Sequence, residues 1–162
     1  MPKETKHAAL ICIGLSILAA LGIAVGLIMK NALITVICLL PAAAYEVYRT
    51  EGVVTRVASF CLLGILIAEL FFIATGKGFD LAKLFGGTMK RIGGYPVPLG
   101  DIKIVGPTIM ALLSVILFRR TYGIYTKWLA VIIFITSLAI LYIINPAILQ
   151  QMFEMVKGTR QL

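Results

Sequence analysis

Apolar residues in this chain come in runs too long for an ordinary soluble helix, and charged residues collect in the gaps between them. A helix needs about 20 predominantly apolar residues to cross the hydrocarbon of a bilayer. Five runs approach that length: residues 8–29, 32–48, 57–75, 102–118 and 128–149. Backbone groups inside lipid must be satisfied within their own segment, so the runs are expected to be helices. The predicted fold is an all-α integral membrane protein, a single bundle of about five transmembrane helices with no separate soluble domain. Pro41 lies inside the second run and predicts a kink there, since proline removes one rung of the helical ladder.

Two further segments carry helical periodicity without the length to span. In the loop 77–101, "FDLAKLFGGTMKRI" spaces Leu81, Leu84, Phe85, Met89 and Ile92 along one helical face. This predicts an amphipathic helix lying on the membrane, weakened at Gly86-Gly87. The following "GGYPVPLGDIKIVGP" is dense in glycine and proline and reads as extended or turning chain. After Pro146, residues 146–157 repeat the amphipathic theme and predict a second surface helix, with Asn145 placed to cap its start.

Composition agrees with this pattern. The chain is 60% hydrophobic and 14% charged, with a mean hydropathy of +1.03. Its net charge of +8 sits in the gaps, where membrane proteins normally carry basic residues. No basic domain stands outside the bilayer, so nucleic acid is not an expected partner. Membrane lipids are expected partners, as are other membrane chains or copies of this one. If the runs alternate in direction, one side carries Lys3, Lys6, Arg49, Arg56, Arg119, Arg120 and Lys127. The other carries Lys30, Lys77, Lys83, Lys90, Arg91, Lys103, Lys157 and Arg160. The first set is packed into shorter gaps at span ends, beside Tyr45, Tyr48, Tyr122, Tyr125 and Trp128. That density and the aromatic belt favour a cytoplasmic N-terminus and an outside C-terminus. The run at 8–29 is longer than the apolar region of a secretory signal and reads as a retained span.

Against this background one residue stands out. Glu69 falls in "ILIAELFFIATG", roughly 10 Å from the Gly76 end of its span at 1.5 Å per residue. A charge near the centre of a span costs about 2.5–3.5 kcal/mol on insertion scales. The cost is avoided if Glu69 is protonated, if it pairs with a cation, or if it faces a polar cavity or another subunit. Thr35, Thr108, Tyr142, Asn145 and Lys30 share its half of the bilayer and are the candidates for lining such a pocket. Glu46, by contrast, stands at a span end near Arg49 and reads as an ordinary local ion pair.

Small residues mark helix contacts. Gly22 and Gly26 form a GxxxG in the first run, and Gly64 and Ala68 a similar pair in the third. Such spacing lets helix backbones approach closely in lipid, within one chain or between chains. Cys12, Cys38 and Cys61 lie within apolar runs and read as small packing residues. With His7 the only histidine, haem held by two histidines of this chain is excluded, and no metal or other cofactor is expected. Phosphate-binding, nucleophile-elbow, zinc-protease and redox motifs are all missing, so no catalytic residue is assigned and no enzymatic activity is expected.

Two functions fit. The first expectation is a small non-catalytic subunit packed within a larger membrane assembly, with Glu69 meeting a partner's polar groups. The alternative is an oligomeric carrier or channel for protons, cations or a small solute, with Glu69 in the path. A third reading, binding of anionic lipid, rests on Lys83, Lys90 and Arg91 in the loop.

Overall fold

The computed structural model describes residues 7–50, 52–76, 91–92, 95–96, 102–121 and 123–146. Five helices make up almost all of it: α1 (Ala8–Met29), α2 (Ala32–Arg49), α3 (Val53–Thr75), α4 (Ile102–Arg120) and α5 (Ile124–Ile144). Helices α1, α2, α3 and α5 are long and apolar enough to cross a membrane. α4 is closed off by Lys103 at one end and Arg119-Arg120 at the other. The chain is an all-α membrane bundle.

Helix ends follow local chemistry. Lys30 takes a left-handed conformation (φ 50°) after α1, and Asn31 caps α2 by accepting from the Leu33 amide at 3.0 Å. α2 runs on through Pro41 to Arg49. α3 starts at Val53, ahead of the expected residue 57, because Gly52 (φ 110°) turns the chain immediately before it. α5 starts at Ile124, ahead of the expected residue 128, so the helical ladder takes in interfacial residues outside the apolar run. It stops at Ile144, short of the expected residue 149. Asn145 is extended there (φ −151°), as the residue before a proline tends to be.

Arg91–Ile92 and Tyr95–Pro96 form a two-residue antiparallel ladder, β1 and β2. The extended reading of Tyr95–Pro96 is met, but Arg91 and Ile92, expected in the interfacial helix, are extended instead. Gly93-Gly94 follow directly in the sequence, and glycine disfavours helix. The rest of that expected helix (77–90) and the expected C-terminal surface helix beyond Pro146 lie outside the described residues.

The short links after α1, α2 and α4 make consecutive helices antiparallel neighbours. Contacts run α1–α2, α2–α3, α3–α4, α4–α5 and α5–α1, closing a ring, and α2 also meets α5 across its centre. The core between them is apolar: Val36, Leu39, Leu62, Leu66, Met110, Leu117, Leu129, Ile133 and Ile140 are all buried.

α1 joins the bundle through small residues. A Cβ added at Gly22 would collide with Cys38 Cβ, and one at Gly26 would collide with Thr35 Oγ1. The Thr35 hydroxyl donates to the Gly22 carbonyl at 3.1 Å. Trp128 Nε1 donates to Ser16 Oγ at 2.9 Å and ties α1 to α5. The GxxxG is thus used within the chain. Gly64 is the opposite case: a Cβ there would meet nothing within 4 Å. Gly22→Ala is therefore expected to lower thermal stability in detergent by about 1–3 kcal/mol, the range for overpacking a close contact. Gly64→Ala should leave stability unchanged or raise it, since alanine is the better helix former. Equal melting of the two variants would show that the α1–α2 contact is looser than described.

Candidate functional site

The buried face of α3 consists of Thr55, Ala58, Ser59, Leu62, Leu66 and Glu69. Steps of three and four residues place them along one side of the helix. Glu69 therefore points into the bundle, and it is only 2% exposed. The facing surface of α4 is Gly106, followed by Pro107. A Cβ on Gly106 would stand 3.5 Å from Glu69 Oε2 and 3.8 Å from Ile65 Cγ2, in ordinary contact. The carboxyl thus lies against glycine backbone, where α4 presents no side chain. Neither Oε1 nor Oε2 has a hydrogen-bond partner among the described residues.

The polar residues expected to share a pocket with Glu69 are otherwise engaged or turned away. Thr35 is buried, with its hydroxyl on the Gly22 carbonyl. Thr108 is exposed and donates back to the Ile104 carbonyl at 2.8 Å. Tyr142 is 49% exposed. Asn145 terminates α5, and Lys30 is exposed at the end of α1. Ala68 is half-buried and Gly64 exposed. Lys83 and Lys90 lie outside the described residues, and Arg91 is placed only as part of β1.

A second buried polar group sits at the opposite end of the bundle. Glu46 and Arg49, which read as an ordinary local pair at a span end, are buried, at 1% and 6% exposed. The early start of α3 packs the last turn of α2 against its first turns and buries them. The Thr50 hydroxyl donates to the Glu46 backbone carbonyl at 2.7 Å with Glu46 Oε1 as a second acceptor at 3.1 Å, and Ser59 Oγ donates to Thr50 Oγ1 at 3.3 Å. Glu46 Oε2 has no hydrogen-bond partner among the described residues. Arg49 donates from Nη1 to the Tyr45 hydroxyl at 3.4 Å, and its guanidinium lies over the Tyr125 ring at 5.0 Å. The sequence carried a signal for this. The buried row Ala32, Thr35, Val36, Leu39, Ala42 and Ala43 continues without a break through Glu46 and Arg49.

Family profiles, curated proteins and solved structures give no match to this chain. The chemistry must be read from the groups themselves. Burying a charge without a counter-charge is costly. A lone carboxyl sheds that cost by taking up a proton or a cation. Among the described residues no three acidic, histidine or cysteine side chains gather as a metal-binding group.

Proposed function

We propose that this chain is a small membrane carrier or channel, and that Glu69 is the carboxyl that binds the transported charge, a proton or small cation. The observation that carries the reading is the setting of Glu69, buried between α3 and α4 with both oxygens lacking a partner among the described residues. Intramembrane carboxylates commonly mark ion paths. The first expectation, a non-catalytic subunit in which Glu69 meets a partner's cation or polar groups, requires it to face out of the chain, whereas it faces in. Gly106 adds a geometric argument. Glycine keeps that wall of the site free of any side chain, so a small shift of α4 changes what the carboxyl meets.

The test is flux in proteoliposomes holding the purified chain. The wild type is expected to carry protons or an alkali cation down an imposed gradient, and Glu69→Gln to reduce the flux to that of empty vesicles. A folded Glu69→Gln that carries as much as the wild type would remove Glu69 from the path.

One observation favours the subunit reading as a second possibility. The outward face of α3, with Val57, Phe60, Cys61, Gly64, Ile67 and Phe71, is exposed, and Gly64 has nothing against it. Such a face suits another membrane helix as well as it suits lipid. Gentle extraction from the native membrane distinguishes the two: stoichiometric co-purification of other chains supports a subunit, and a pure homo-oligomer or monomer supports a self-contained carrier.

A further inference from the structure

We infer that Glu46 is a second proton-binding site, in the opposite half of the bilayer, and that Glu46 and Glu69 are the two ends of one proton path through the core of this single chain. The inference rests on the transport reading of Glu69 and extends it to a second residue and to one transported species.

The first ground is placement. Ser59, which reaches Glu46 through the Thr50 hydroxyl, and Glu69 belong to the same buried face of α3. They are ten residues apart, or roughly 15 Å along the helix at 1.5 Å per residue. Leu62 and Leu66 occupy the same face between them and are buried, and Leu39 and Val36 of α2 belong to the same core cluster. The path therefore has a polar station at each end and a buried apolar barrier in the middle. With the barrier closed the two stations are not in contact, and passage requires the leucines to part or water to enter.

The second ground is the chemistry of the Glu46 station. Oε2 is buried with no partner among the described residues, so it has a site free for a proton. Oε1 shares the Thr50 hydroxyl with the Glu46 backbone carbonyl, and Ser59 donates to that same hydroxyl. A hydroxyl both donates and accepts, so this row can receive a proton at one end and release another at the other. Among the described residues, the ionisable groups near Glu46 are Cys12 from α1, Tyr45 and Arg49 from its own helix and Tyr125 from α5, and α3 contributes the Ser59 hydroxyl through Thr50. Arg49 is within coulombic range and can balance the carboxylate that remains when the proton leaves. The same positive charge opposes a metal cation. A hard metal ion also takes six or more oxygen ligands, and among the described residues no three acidic, histidine or cysteine side chains gather at either carboxyl. A proton needs only the carboxyl.

The experiment uses the full chain in proteoliposomes containing a pH-sensitive dye, with the membrane potential clamped by potassium and valinomycin. Wild type, Glu46→Gln, Glu46→Asp and Glu69→Gln are compared after each is shown to elute and melt as a folded protein. Glu46→Gln is expected to lose proton flux, and Glu46→Asp, which keeps the acid, to retain part of it. If Glu69→Gln loses flux while Glu46→Gln keeps it, the inference falls and the reading of Glu69 stands. If Glu69→Gln keeps wild-type flux, the transport reading itself falls. Should Glu46→Gln not fold, the wild type decides the matter through reaction with dicyclohexylcarbodiimide, an apolar reagent that modifies protonated carboxyls inside membranes. Adducts on both the Glu46 and the Glu69 peptides are expected. Labelling confined to Glu69 overturns the proposal.

Discussion

Glu69→Leu is expected to melt higher than the wild-type chain while carrying no protons at all. The wild-type carboxyl is buried without a hydrogen-bond partner among the described residues. A buried polar group left unsatisfied costs about 1–3 kcal/mol, and replacing it with an apolar group of similar shape recovers that cost. Leucine has a similar volume, favours helix, and would sit between Ile65, Leu66 and Gly106 in surroundings that already suit it. For a chain of this size a kilocalorie corresponds to about 2–4 °C in Tm, so the gain should be several degrees in a detergent melt. Glu69→Gln should show no such gain, because its amide remains a buried polar group without partners. A stability gain paired with loss of flux is the pattern of a residue kept for function at the expense of stability. A large drop in Tm for Glu69→Leu would instead mean that the carboxyl is held by groups outside the described residues and serves the fold.

Part of this site is legible in the sequence. Depth in the membrane follows directly from position along a span, at 1.5 Å per residue. Glu69 could therefore be placed well inside the bilayer from the sequence alone. Its direction could not be read, because the apolar row 57, 60, 64, 67 and 71 follows the same helical spacing as the buried row 55, 58, 62, 66 and 69. Nor could what lies opposite. Gly106 is 37 positions away, and only the packing of α3 on α4 brings it to the carboxyl. The same limit explains Thr35, Thr108 and Tyr142. They share a depth with Glu69 but not a direction around their helices, and depth alone suggested a common pocket. Glu46 failed for another reason. Charge at a span end is ordinary, and that expectation outweighed the unbroken helical row running from Ala32 into Glu46 and Arg49. The expected helix through Ile92 gives way to a short ladder at Arg91–Ile92, where Gly93-Gly94 follow in the sequence and glycine disfavours helix.

Arg49→Ala is expected to be among the most damaging single changes in the bundle, at about 1–3 kcal/mol, the range for leaving buried polar groups unsatisfied. Two losses combine. Glu46 would lose the positive charge that lies within range of it, and the guanidinium would no longer cover Tyr125 or reach the Tyr45 hydroxyl. The double variant Arg49→Ala/Glu46→Gln separates them. Removing the acid removes the uncompensated charge, so the double variant should regain a substantial part of the loss, and the remainder measures packing over Tyr125. Thermal melts of the four members of the cycle give the coupling directly. If the double variant is no more stable than Arg49→Ala, the two residues are independent, and Arg49 cannot be what balances the Glu46 carboxylate after proton release. If coupling is found, the proton path acquires a definite asymmetry. At Glu46 a fixed positive charge supports the empty state, while at Glu69 no group among the described residues has been found to do so. The Glu69 end would then depend on movement of α4 about Gly106-Pro107, or on water, to release what it holds.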